Sequence, residues 1–215
     1  MSARERVGVL GLQGDFERHT RSIEALGLET VRVSLPEHLE GLGALLMPGG
    51  ESSTMLNLLE TTGLRAPLER FVRERAVMAT CAGLILLATE ADRLTRPTFG
   101  VLDVTVSRNA YGRQVHSFTE RVDMTPLSGP FPGVFIRAPR IVRVGAGVEV
   151  VATRLLPGGA EREVVGVRCG RVVGLCFHPE LTGDLRVHRW FLSEVAALPV
   201  PAAASGAGAR SPEAA

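Results

Sequence analysis

Long apolar runs are missing from this 215-residue chain. None approaches the ~18 residues needed to cross a bilayer, and Met1-Ser2-Ala3-Arg4-Glu5-Arg6 lacks the apolar stretch of a signal peptide, so a soluble, cytoplasmic protein is expected. Cysteine is scarce. The three present, Cys81, Cys169 and Cys176, are an odd number with neither metal-ligand spacing nor a disulfide-dense pattern, which fits a reducing compartment. Charge of one sign is lacking too. Twenty-four basic residues face 23 acidic ones for a net charge of +1, which removes the electrostatic case for nucleic acid or an acidic membrane as partner. No group of His and acidic residues has metal spacing, so neither a metal nor a tightly bound cofactor is expected. Internal repeats are absent.

What remains has the composition of a folded globular chain, with 45% hydrophobic and 22% charged residues. A chain of this length buries roughly 70% of its unfolded surface in a single core and needs no staples. Val7-Gly8-Val9-Leu10 reads as a buried strand, followed by a Gly11-Leu12-Gln13-Gly14 turn, Asp15 as helix cap, and a helix presenting Phe16, Ile23 and Leu26 until Gly27. Thr30–Val33 and Ala44–Met47 supply two more strands. Pro48-Gly49-Gly50-Glu51-Ser52 leaves the third strand, and Ser52-Ser53-Thr54 offers capping hydroxyls to the next helix. Strands alternating with helices predict a doubly wound, mostly parallel α/β sheet of flavodoxin-like type. Beyond Glu90 period-two segments, Val101–Val106 and Val115–Thr119, predict an antiparallel extension. Val148–Thr153, Val164–Arg168 and Val172–Phe177 are further strands, with Cys169 and Cys176 as core residues able to face each other across a hairpin. Asp184–Ala197 is the closing helix. One domain, residues 1–198, and a disordered tail, residues 199–215, are expected.

The chemistry gathers at two places. Val77–Ala88 reads as a strand, a turn of small residues with Cys81 at its apex, and an apolar helix: a nucleophile elbow, in which Ala79 and Gly83 let strand and helix approach. Unpaired N–H groups opening a helix favour the thiolate. A lone cysteine is more often a small buried hydrophobe. Nearly a hundred residues on, however, another apolar strand runs into His178-Pro179-Glu180, a base and an acid on the same side of an extended segment. His19, His38 and His188 fall on charged or polar stretches and are expected at the surface, and His116 is ambiguous.

Thr80-Cys81-Ala82-Gly83-Leu84 with His178-Pro179-Glu180 resembles class I glutamine amidotransferases. Gly11-Leu12-Gln13-Gly14-Asp15, Pro48–Ser52, Arg108-Asn109-Ala110-Tyr111-Gly112-Arg113-Gln114 and Phe135-Ile136-Arg137-Ala138-Pro139 narrow the resemblance to the glutaminase subunits of pyridoxal 5′-phosphate synthase. It extends from about Val7 to about Leu198. One departure is Ala79, where that family more often carries glycine.

The resemblance implies a Cys81-His178-Glu180 triad that hydrolyses glutamine and an oxyanion hole from the N–H groups of Gly50 and Ala82. It also implies a glutamine site formed by Gly49, Gly50, Glu51, Arg108, Ile136 and Arg137; a partner contact at Gln13 is expected because the Gly11–Gly14 turn lies at the mouth of the sheet beside the Gly49-Gly50 peptide. The partner implied is the synthase subunit, in a hetero-oligomer that makes pyridoxal 5′-phosphate as product, so the chain itself needs no cofactor. Two alternatives stay open: an amidotransferase serving another acceptor, and a non-catalytic flavodoxin-like cysteine protein. The paired His178 and Glu180 weigh against the second.

Overall fold

A computed structural model describes residues 6–108 and 117–202. The first half alternates as expected: β1 (Arg6–Leu10), α1 (Phe16–Ala25), β2 (Thr30–Val33), β3 (Leu42–Met47), α2 (Ser52–Thr61), α3 (Arg65–Glu74), β4 (Ala76–Thr80) and α4 (Ala82–Leu87). The second half is mostly strand: β5 (Ala88–Ala91), β6 (Leu102–Ser107), β7 (Phe118–Met124), β8 (Phe131–Phe135), β9 (Arg140–Val144), β10 (Glu149–Leu155), β11 (Arg162–Cys169) and β12 (Val172–Leu175). The helix α5 (Arg186–Trp190) closes it and continues through a π-helical turn, Phe191–Val195.

Nine strands form one sheet in the order β2-β1-β3-β4-β12-β11-β10-β7-β8. The first five run parallel, with Val9 opposite Leu46, Met47 opposite Ala79 and Leu175 opposite Thr80. Crossover helices screen parallel strands, which accordingly read as continuous apolar runs; every residue of β4 and β12 is buried. From β12 onward the pairing is antiparallel, and β7 and β8 alternate more buried with more exposed residues. A separate three-stranded sheet has the order β5-β6-β9.

The far edge of the large sheet returns to the middle. The His178 N–H just past β12 donates to the Val134 carbonyl on β8 at 2.8 Å, and Phe131 and Phe135 of β8 pack against Phe177 with ring centroids 5.8 and 5.9 Å apart. The extension is thereby curled so that the segment after β8 overhangs the carboxyl end of β4.

Several local expectations are corrected. Asp15 occupies the cap position of α1 but makes no side-chain cap bond. α2 is capped by the Glu51 carboxylate, which accepts from the N–H groups of Ser53 (3.1 Å) and Thr54 (2.6 Å), where serine and threonine hydroxyls were expected. Cys169 and Cys176 do not face each other: Cys169 pairs with Val172, and the Cys176 N–H bonds Val165 O. The hairpin turn is too tight to bring residues 169 and 176 opposite. Of the strand expected at Val115–Thr119, residues 115 and 116 lie outside the described residues, and β7 begins at Phe118. Of the expected tail, 203–215 lies outside them, while Pro201 is held by Arg189 Nη1 to its carbonyl at 2.5 Å.

Candidate active site

Strand β4 ends at Thr80 and α4 begins at Ala82, so the whole reversal falls on Cys81, with φ 50° and ψ −107°. A positive φ is costly for a residue with a Cβ, roughly 1–3 kcal/mol, and is retained where surrounding structure over-determines it. Here the Cys81 N–H is fixed to Leu175 O at 2.8 Å, and Ile85 N bonds the Cys81 carbonyl at 3.3 Å. Ala79, by contrast, lies flat in β4 between Met47 and Gly174, so its alanine carries no left-handed strain. Gly83 is required by contact: a Cβ there would stand 2.3 Å from Met47 O.

His178 and Glu180 meet as expected, though by another local structure. Pro179–Leu181 forms a 3-10 turn and not a continued strand. The turn places His178 Nδ1 2.7 Å from Glu180 Oε1, both residues being buried. Burial alone would lower the His178 pKa, but the adjoining Cys81 and the Glu180 carboxylate push it up to about 10. Burial likewise opposes the Glu180 charge, yet His19 and His178 hold its carboxyl down at about 2. The other ring nitrogen, His178 Nε2, is buried without a hydrogen-bond partner among the described residues. Gly49 lies against both Cys81 and His178. A Cβ on it would be 2.5 Å from His178 Cε1 and 3.2 Å from Cys81 Cβ, so only glycine lets this backbone approach the pair.

A cavity of about 280 Å³ opens over Cys81. Gly49, Gly50, Glu51, Ala82, Arg108, Ile136, Arg137 and His178 line it, which brings every residue expected to hold glutamine or its oxyanion around one space. Cys81 Sγ lies 3.9 Å from the Ile136 carbonyl, and Arg137 follows with a positive φ of 43°. Arg108 is not a free surface arginine. Its backbone N–H bonds Asp92, Nη1 donates to Arg93 O, and Nη2 donates to Glu51 Oε1 (3.0 Å) and Ser53 Oγ (3.1 Å). Burial works against the Glu51 charge, but the bonds from Thr54 and Ser53 hold its carboxyl at about 2. The rest of the arginine motif, residues 109–114, lies outside the described residues, as does His116.

Gln13 does not line the cavity but grips its wall: its Oε1 accepts from the Glu51 N–H at 3.0 Å. Gly14, at φ +86°, lies so close to the Gly49 carbonyl that a Cβ would fall 1.8 Å from that oxygen. The 11–14 turn therefore touches both flanks of the Gly49-Gly50 segment.

The surface placement expected for His19 and His188 is overturned. Both are fully buried behind Glu180, because desolvation is offset by partners the local sequence does not reveal. Helical spacing carried the signal: His19 shares the stripe of Phe16, Ile23 and Leu26, and His188 stands three, four and seven residues before Phe191, Leu192 and Val195. His38 is half-buried against Ser34. Among the described residues no group of His, Cys, Asp and Glu could hold a metal ion.

Residues 9–197 match the SNO glutamine amidotransferase family. The chain is 50% identical to the pyridoxal 5′-phosphate synthase subunit PdxT of Corynebacterium jeikeium, over 88% of this chain and 96% of that one. To the subunit of the same name from Thermotoga neapolitana it is 45% identical, over 88% and 99%. A crystal structure of a glutamine amidotransferase superposes with a TM-score of 0.80 at 48% identity, covering 89% of this chain and 99% of the other.

Proposed function

Because the chain belongs to the SNO glutamine amidotransferase family, we propose that it hydrolyses L-glutamine through Cys81, His178 and Glu180 and delivers the ammonia to the synthase subunit of a pyridoxal 5′-phosphate synthase. The observation that carries this reading is the convergence of an elbow cysteine, a His178-Glu180 pair at 2.7 Å and the Gly49-Gly50 backbone on one cavity.

The Cys81 thiolate attacks the carboxamide carbon of glutamine. The N–H groups of Gly50 and Ala82 receive the oxyanion, and the His178 imidazolium gives its Nε2 proton to the departing ammonia. The resulting thioester is cleaved by water, whose proton returns to His178, releasing glutamate and the thiolate. Glu180 accepts from Nδ1–H throughout; it fixes the tautomer and stabilises the imidazolium without taking the proton. Arg108 suits the α-carboxylate, and Glu51, beside it, suits the α-ammonium. Gly49 and the backbone of Ile136 and Arg137 complete the glutamine site. Ammonia protonates in neutral water and loses its nucleophilicity, so release within a hetero-oligomer serves the chemistry. No helix among the described residues is long and apolar enough to cross a membrane.

Gln13 and Gly14 support a coupling between the partner and the oxyanion hole. The half-buried Gln13 holds the peptide after Gly50, and Gly14 bears on the Gly49 carbonyl. A synthase subunit docked on the 11–14 turn would set the orientation of the Gly50 N–H. Loss of one such donor costs roughly 10² to 10³ in rate. Ammonia release at saturating glutamine, with and without the synthase subunit, tests both statements. Strong stimulation that Gln13→Ala diminishes is expected. Equal rates would sink the coupling, and no release in either mixture would sink the glutaminase reading.

A further inference from the structure

A Cys-His-Glu triad leaves the two buried histidines behind Glu180 without a task. His19, on α1, approaches Glu180 Oε2 with its Nε2 at 3.3 Å, and the same nitrogen lies 3.4 Å from Thr80 Oγ1. Its Nδ1 is 3.0 Å from Nε2 of His188, on α5. His19, Thr80 and His188 have no exposed surface, and Glu180 is 4% exposed. The Nε2 to Oε2 approach is off-line for a straight hydrogen bond, and Oε2 has no hydrogen-bond partner among the described residues.

The two short contacts fix the direction of the protons. One hydrogen must lie between His19 Nδ1 and His188 Nε2. Were it on His19, a neutral His19 would turn a bare lone pair toward a carboxylate, and His188 would carry a buried Nδ1–H without a partner. With the hydrogen on His188, His19 Nε2–H points at Glu180 and Thr80, and the unpartnered atom is a lone pair on His188 Nδ1, the cheaper atom to leave bare. Every N–H in the series then points toward the carboxylate: His188 to His19, His19 to Glu180 Oε2, His178 to Glu180 Oε1.

We propose that His19 is a positioning residue of the reaction: its Nε2–H dipole, oriented by His188, faces the outer oxygen of Glu180 and so keeps the carboxylate ionised and turned toward His178. The inference rests on the triad reading above. Burial depresses the pKa of both histidines, that of His188 to about 3, so at neutral pH His19 supplies a dipole and not a second positive charge. A cation there would compete with His178 for Glu180; a neutral donor leaves the negative charge to the imidazolium. The other charged groups facing this region are Asp15 at the start of α1, Cys81 beyond His178, and Arg18 and Arg21, which line a surface crevice that reaches Glu180 from behind.

Two polar substitutions separate positioning from packing. His19→Asn keeps an acceptor for His188 but is too short to reach Glu180; His19→Gln returns an N–H donor near the place of Nε2. Each full-length variant, together with the synthase subunit, is assayed for ammonia release against glutamine concentration and pH. Cys81 alkylation by iodoacetamide is followed over the same pH range and melting temperature is recorded. His19→Asn is expected to lower kcat roughly ten- to a hundred-fold with KM little changed. The acid limb of both profiles should move up by about one to two pH units, because a less supported Glu180 protonates sooner. His19→Gln should restore most of kcat and the original limb. Wild-type profiles in both variants, or equal losses in both, would overturn the proposal, whatever the melting temperatures. Cys81→Ala run alongside keeps the two readings apart: if it still hydrolyses glutamine the triad itself fails, whereas a dead Cys81→Ala with an unaffected His19→Asn condemns only the positioning role.

Discussion

The two halves of the large sheet solve the burial problem in opposite ways. In the parallel half β4 and β12 are buried throughout and their residues are apolar or small, apart from Thr80 at the tip of β4. In the antiparallel half polar residues reach the interior and must be paired. Arg154, 3% exposed, donates to Glu163 at 2.6 Å and to Glu120 at 2.7 Å, and lies 5.0 and 5.1 Å from the ring centroids of Phe118 and Phe135. Arg140 reaches the same Glu163 at 2.7 Å, joining β9 of the small sheet to the large one. The first half presents Cys81, with its positive φ, on an apolar base; the second, tied by charges, carries the Ile136-Arg137 wall over it. The His178-Glu180 pair lies at the seam, delivered by the last parallel strand and bonded across to β8.

The comparison is broken most severely from the parallel side. Cys81→Ala should reduce glutamine hydrolysis by ~10⁴-fold or more while leaving the fold intact, since alanine keeps the small volume of the elbow. Ammonia release from the purified variant, beside its thermal unfolding curve, checks both halves of the statement. An opposite signature is expected on the antiparallel side. Glu163→Ala removes the shared partner of Arg154 and Arg140 and leaves a buried guanidinium less well paired, a loss of about 3–5 kcal/mol. Denaturant unfolding should show it, with hydrolysis at 25 °C falling far less than in the Cys81 variant. A large activity loss without lost stability would mean that the network acts on chemistry and not on the fold.

The seam is sharpened by pH. His188 is held to about 3 and His19 is also lowered, each against an ordinary value of 6.5, so below 6.5 the unfolded chain binds protons that the native one refuses. Stability must therefore fall as pH drops through 6.5, by at most about 1.4 kcal/mol per pH unit for each histidine. His178, raised to about 10, contributes fully below 6.5 and loses its contribution only as pH rises from there toward 10. Glu180, lowered to about 2, adds its own loss only below 4.5. Between pH 6.5 and 4.5 the slope thus reports the buried histidines, and unfolding free energy measured in that window should be shallower for His188→Gln. An unchanged slope would mean that His188 takes up a proton in the native state.

Much of this was legible residue by residue. Apolar runs bounded by glycine marked the parallel strands, because burial on both faces leaves no room for polar residues in them. The small residues about Cys81 marked the elbow, because strand and helix cannot approach otherwise, and His178-Pro179-Glu180 announced its partner two residues along. Glycines 49 and 50 announced a backbone that something approaches closely. These are local constraints, written within a few positions of one another. The curl of β8 onto His178, the Glu51 cap that also bonds Arg108, and the series from His188 through His19 to Glu180 join residues 44, 57 and 161 or more positions apart. The sign of a histidine's environment depends on what the fold brings against it. Read alone, His19 is a polar residue on a charged helix; packed against Thr80, Glu180 and His188 it is a buried neutral donor, and only the tertiary structure supplies those three neighbours.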